Sequence, residues 1–223
     1  MNFAIVFHKE ERVFHLYNEE ISYIMQIMEN EQLEHLYYGK RIPDREGFSY
    51  LHEEARRSQM SVCVPEPGLL SMHYSAQEYP SYGTGDYRSP AFSILQENGS
   101  RVSDFKYQCH EIKNGKPSYL PLPMSYVEKE EEALTLDITL FDNLSQTEMV
   151  LEYTLYRDYP ILCRNVHFTQ KGKEKIFLER AMSMSLEFMD KDFSLLHLSG
   201  AWGRERYLKK RKLEMGIQSI QSL

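Results

Sequence analysis

The chain's only tryptophan, Trp202, lies in the stretch GAWGRERYLKKRKLEMG, residues 200–216. Gly200 and Gly203 bracket it, and Arg204, Glu205 and Arg206 follow at once. A flat apolar ring rimmed by charged groups suits a carbohydrate: the sugar's C–H face lies on the indole while its hydroxyls meet the charges. Removing an aromatic anchor of this kind typically costs about 2 kcal/mol or more. The competing reading has Trp202 plugging the end of a sandwich, with the two arginines paired to Glu205 or Glu214. A second charged stretch, LHEEARR, carries Glu53, Glu54, Arg56 and Arg57. Taken by itself it reads as a solvated turn. Glycoside hydrolysis needs two carboxylates about 5–9.5 Å apart across a cleft, and adjacent glutamates on one short segment do not supply them. No other candidate pair stands out.

The segment QEYPSYGTGDYRSPAF, residues 77–92, is the third constellation. Pro80 and Pro90 fix φ near its ends, and Gly83 and Gly85 permit tight turns. Asp86 and Arg88 are two apart, so on extended backbone they point the same way. The segment reads either as a loop with an internal ion pair or as a loop that packs on a second domain or subunit. Its GTG lacks a following helix and is no phosphate cradle. The histidines are scattered. His8 and His15 fall on strand-like runs, His52 precedes the acidic pair, and His73, His110, His167 and His197 show no metal-ligand spacing. No metal site, no cofactor and no Ser/His/Asp order is read from them.

These residues must be positioned by strands. FAIVF, RVFHLY and EISYIMQIM open the chain, and LTLDITLF at 134–141 alternates apolar and polar residues as a half-buried strand does. MVLEYTLYRD, PILCRNVHFTQ and IFLERAMSMSLEFM repeat the pattern, and KGKEK at 171–175 reads as a hairpin turn. The one helical candidate is 49–60, with Ser49 as its cap. Residues 60–90 form a long Pro/Gly/Ser/Tyr-rich loop, and MGIQSIQSL at 215–223 reads as the start of a further strand. Successive strands joined by turns predict an all-β antiparallel sandwich.

A net charge of −7 argues against nucleic acid as the main partner. Cys63, Cys109 and Cys163 are widely spaced with no CxxC, which fits a reduced, cytoplasmic setting. The opening residues show neither a signal-peptide pattern nor a membrane span.

Five segments, YIMQIMENEQLEHLYYGKRI, QEYPSYGTGDYRSPAFSILQENGSRVSDFKY, GKPSYLPLPMSYVE, LERAMSMSLEF and LHLSGAWGRERY, occur in this order. Together they closely resemble the N-terminal domain of microbial α-galactosidases of glycoside hydrolase family 36. The likeness runs from about Phe14 to the last residue. It implies an N-terminal β-supersandwich of a longer protein whose central (β/α)₈ barrel carries both catalytic aspartates. It also implies release of terminal α-1,6-linked galactose from melibiose- and raffinose-type sugars with retention, by a homotetramer in which this domain reaches a neighbour's barrel. On that basis residues 1–223 are expected to form roughly the first two-thirds of the N-terminal domain, truncated at its C-terminal side, and to be inactive alone. The tryptophan of the GAWGRER motif, here Trp202, is similar to one lining the family's substrate site. In the segment before QEYP, Glu53 best matches the family's sugar-contacting acid, with Glu54 next to it. The usual RAFSPN that follows is replaced here by ARRSQM, and the arginine that often precedes QEYP has no counterpart in EPGLLSMHY. The alternative function is a stand-alone carbohydrate-binding β-sandwich.

Overall fold

The computed structural model describes residues 3–52, 72, 74–83, 85–189 and 191–220. It divides into two compact units, Met1–Glu187 and Phe188–Leu223. In the first, β1 (Ala4–His8), β2 (Val13–Tyr17), β3 (Ile21–Ile27) and β4 (Leu33–Lys40) form one antiparallel meander. After β5 (Phe92–Gln96), a second meander is built from β6 (Phe105–Asn114), β7 (Ala133–Asp142), β8 (Thr147–Tyr156) and β9 (Leu162–Gln170). The next strand, β10 (Ile176–Ala181), pairs with β5. In the second unit β11 (Ser194–Ala201) pairs with β12 (Arg204–Lys212). Two single-turn 3₁₀ helices, Ser49–Leu51 and Glu130–Glu132, are the only helical elements among the described residues.

Period-two alternation produces the core. Leu136, Ile138 and Leu140 of β7 and Met149, Leu151, Tyr153 and Leu155 of β8 face Phe14, Leu16, Tyr23 and Met25 of the first meander. Phe92 and Ile94 of β5 join the same cluster. The expected all-β antiparallel sandwich is therefore the observed class.

The first meander is buried on its other face too, which explains why β2 and β3 read as almost continuously apolar runs. A strap over residues 41–52 crosses that face, and Phe48 packs with Val13 and Ile24. Of the helical candidate at 49–60, residues 49–51 form a single 3₁₀ turn, and 53–60 lie outside the described residues. The turn's cap position is Phe48, not Ser49, and no side chain caps it. The Glu11 carboxylate accepts instead from the Gly47 and Phe48 N–H groups. Burial of the Phe48 ring, rather than helix propensity, sets the local path.

Two further expectations are corrected. KGKEK is not a hairpin turn, because β9 pairs with β8 and β10 pairs with β5. The turn is tied to the β7–β8 connection: Lys171 and Gly172 N–H donate to the Gln146 carbonyl at 2.9 and 3.3 Å. A Cβ at Gly172 would lie 2.8 Å from Gln146 Cβ, so only glycine fits that approach. Of the strand start expected at 215–223, residues 215–220 contain no strand, and 221–223 lie outside the described residues. A strand needs a hydrogen-bonded neighbour, and none of the described strands pairs with 215–220.

Candidate functional site

Trp202 stands at the tip of the β11–β12 hairpin. Ala201 pairs with Arg204, so Trp202-Gly203 is a two-residue turn. Gly203 has φ +75°, which glycine adopts without steric cost. Gly200 has a different role: a Cβ there would come within 2.3 Å of the Arg204 carbonyl oxygen and 2.8 Å of Glu205 Cα. The two strands touch at that point, next to a register shift between Ser199 and Ala201. The glycines thus answer to backbone geometry, and their consequence is an indole that is 97% exposed. The ring projects from the hairpin turn, and no ion pair to Arg204 or Arg206 is found among the described residues. Arg206 itself sits at φ +63°, kinking the strand just past the turn.

The loop at 77–92 is pinned from both ends. Arg88 Nε donates to Asp86 Oδ1 at 3.0 Å, the ion pair the spacing suggested. The same guanidinium reaches both Glu187 oxygens at 2.9 Å and donates to the Met72 and Ser75 carbonyls. Burial opposes the Arg88 charge, but Asp86 and Glu187 outweigh it and raise its pKa. Burial in turn pushes the Glu187 carboxyl up. Gly83, at φ +117°, lets the loop pass close by the Ser103 carbonyl, 2.7 Å from where its Cβ would lie.

Sequence reasoning missed the centre of this loop. Glu78 is fully buried, and its Oε1 accepts from Tyr23 and Tyr153 hydroxyls at 2.6 and 2.8 Å. Arg164 lies 3.2 Å from Oε1, and His35 Nδ1 3.3 Å from Oε2. Burial alone would raise the Glu78 pKa; Arg164 and His35 pull harder, and the carboxyl ends below its ordinary value. Burial drives the Tyr23 and Tyr153 hydroxyls well above theirs, and pushes Tyr79 up to about 12. The arrangement locks QEYP to both meanders. It offers no open face to a substrate, so its role is to position the loop. Its partners lie 55 and 75 residues away, beyond the reach of local pattern.

Glu53 and Glu54 lie outside the described residues. His52, just before them, has Nδ1 2.8 Å from Glu34 Oε2. A second cluster the sequence did not signal joins His8, His15 and Asp44 under the strap. Among the described residues no helix is long and apolar enough to cross a membrane.

Residues 31–223 match the sequence profile of the glycosyl hydrolase family 36 N-terminal domain. Alpha-galactosidase AgaA of Geobacillus stearothermophilus is 39% identical over 219 residues, covering 98% of this chain and 30% of AgaA. The crystal structure of the GH36 alpha-galactosidase AgaB from the same organism superposes with TM-score 0.90 at 40% identity, covering 99% of this chain and 30% of that one. A variant of AgaA solved in complex with raffinose superposes with TM-score 0.88 at 40% identity, over 94% of this chain and 29% of that one. The chain thus spans about 30% of the length of the relatives it matches. With the profile match, the sandwich and the ordered motifs in agreement, the chain belongs to glycoside hydrolase family 36, of which it carries the N-terminal domain.

Proposed function

We propose that this chain is the N-terminal portion of an α-galactosidase that hydrolyses terminal α-1,6-linked galactose from raffinose- and melibiose-type oligosaccharides with retention. The catalytic aspartates belong to a barrel outside these 223 residues. Here the domain supplies a wall of the substrate pocket and part of the interface of a cytoplasmic homo-oligomer. Trp202 covers the C–H face of the terminal sugar and excludes water. Glu53 accepts hydrogen bonds from sugar hydroxyls and orients the ring, a positioning task. Family membership and the α-galactosidase relatives support the reaction class, and the raffinose complex of a similar protein supports the substrate class. The observation that carries the role of this domain is the fully presented indole of Trp202, set on a turn that Gly200 and Gly203 make possible.

The test uses the full-length enzyme. Trp202→Ala should lower kcat/KM for raffinose about 30-fold, the equivalent of about 2 kcal/mol, and Trp202→Phe should restore much of it. Unchanged kinetics in an intact oligomer would remove Trp202 from the pocket. Residues 1–223 alone should show no turnover of p-nitrophenyl α-galactoside. Raffinose binding by that isolated chain, abolished by Trp202→Ala, would favour the stand-alone binding module instead.

A further inference from the structure

The strap over residues 41–52 brings Asp44 onto two histidines of the sheet below it. His8 ends β1 and His15 lies in β2; since Val6 pairs with His15 and His8 with Val13, the two imidazoles are diagonal neighbours on one face. His8 Nε2 is 2.9 Å and His15 Nδ1 2.7 Å from the same oxygen, Asp44 Oδ1. The three donor atoms lie within 4.8 Å of one another. Side-chain exposure rises from 0% at His15 to 13% at His8 and 26% at Asp44, so the cluster is open on one side only.

Behind His15, Ser22 Oγ accepts from the Ile42 N–H at 3.0 Å and stands 3.0 Å from His15 Nε2 and 3.4 Å from the Ile42 carbonyl. On the other side of the ring, His15 Nδ1 is 2.7 Å from Asp44 Oδ1, a hydrogen bond while that nitrogen carries a proton and a pair of ligand atoms once a cation takes the proton's place. Two imidazoles and one carboxylate, with one position left to water, are the donor set of a three-ligand transition-metal site. With Nδ1 on a cation, Nε2 carries the ring proton and donates to Ser22 Oγ, the outer hydrogen bond by which such ligands are held in orientation. Phe48 packs against both rings, at centroid distances of 5.2 and 5.7 Å, and supplies the apolar surround.

We propose that His8, His15 and Asp44 form a site for a divalent transition-metal ion of the zinc class, which fastens the strap over residues 41–52 to the first meander. Ligand atoms around a tetrahedral ion with bonds of about 2.0–2.1 Å stand about 3.3 Å apart. The two imidazoles are held by the sheet, so Asp44, on irregular backbone, makes the adjustment of about half an ångström when the ion enters. Arg41 stacks over the Tyr17 ring beside the site, and its charge opposes a dication and lowers the expected affinity.

The experiment uses the full chain, stripped with chelator and titrated with Zn²⁺ alone. Calorimetry and elemental analysis should find one ion per chain, and Tm should rise with Zn²⁺. His8→Ala and Asp44→Asn should each weaken binding tenfold or more while leaving the Tm of the stripped protein within a few degrees. Co²⁺ should give the intense visible bands of four-coordinate geometry in the parent and lose them in Asp44→Asn. That optical readout decides the matter if His8→Ala does not fold. Failure to take up one equivalent, or uptake that neither substitution affects, would overturn the site and leave a hydrogen bond between His15 and Asp44.

Discussion

Glu78 concentrates the energetics of the fold in one carboxylate. It is enclosed between the two meanders with a guanidinium, two phenols and an imidazole around it. Removing one partner of a buried charged set leaves the other uncompensated, which costs about 3–5 kcal/mol. Glu78→Gln keeps the shape and loses the charge, so chemical unfolding at neutral pH should show destabilisation of that order, whereas Tyr153→Phe, which removes one hydrogen bond to the carboxylate, should cost about 1.5–3 kcal/mol. The pH dependence follows from the lowered carboxyl. A folded-state pKa below the ordinary 4.5 means that the stabilisation is complete above that value and drains away as pH falls through the folded pKa. The stability gap between parent and Glu78→Gln should therefore narrow on acidification below about pH 4.5. A gap that stays constant from pH 7 downward would show that the charge contributes little. The other residue of consequence, Trp202, makes no comparable contribution to folding, because its indole is in solvent. Its substitution should leave the unfolding midpoint unchanged, which is what makes it a clean probe of substrate binding.

At the scale of elements, the strap over residues 41–52 and the hairpin tip are the two devices on which the functional readings rest. The strap is held by Phe48 in a small core with Val13 and Ile24, by the Glu11 carboxylate on its backbone, and by Asp44 on the histidines. Truncating a buried phenylalanine costs about 3–5 kcal/mol when the surroundings cannot close over the gap. Phe48→Ala should thus release the strap, with hydrogen exchange of residues 41–52 accelerating well before that of β7 and β8. Equal acceleration everywhere would mean that the strap and the sandwich unfold together. At the hairpin tip, Gly200→Ala should perturb β11–β12 more than Gly203→Ala. The first places a methyl group 2.3 Å from a backbone oxygen, whereas the second meets open space and only an unfavourable φ. Local amide chemical shifts would show the difference.

The whole molecule comprises two units of unequal support. Met1–Glu187 holds a core with residues from both meanders and β5, while Phe188–Leu223 is organised around one two-stranded hairpin. An isolated two-stranded hairpin is marginally stable in water. Amides of β11 and β12 should exchange faster than those of β7 and β8 by orders of magnitude in the chain 1–223, and comparable protection would contradict this ranking. Sequence alone determined the class of the fold and the family. Alternation with period two, turn residues and the order of five motifs are local signals, and they reach individual strands and their succession. Its reading of Trp202, an indole bracketed by glycines and followed by charges, was also local and left a presented ring and a plug both open; the two-residue turn came from strand pairing. The tertiary structure alone decided that β10 pairs with β5, that Glu78 is the buried centre of the QEYP loop, and that Asp44 meets His8 and His15. In each case the partners lie tens of residues apart, and only strand register and burial determine which distant groups share a face, a charge or a proton.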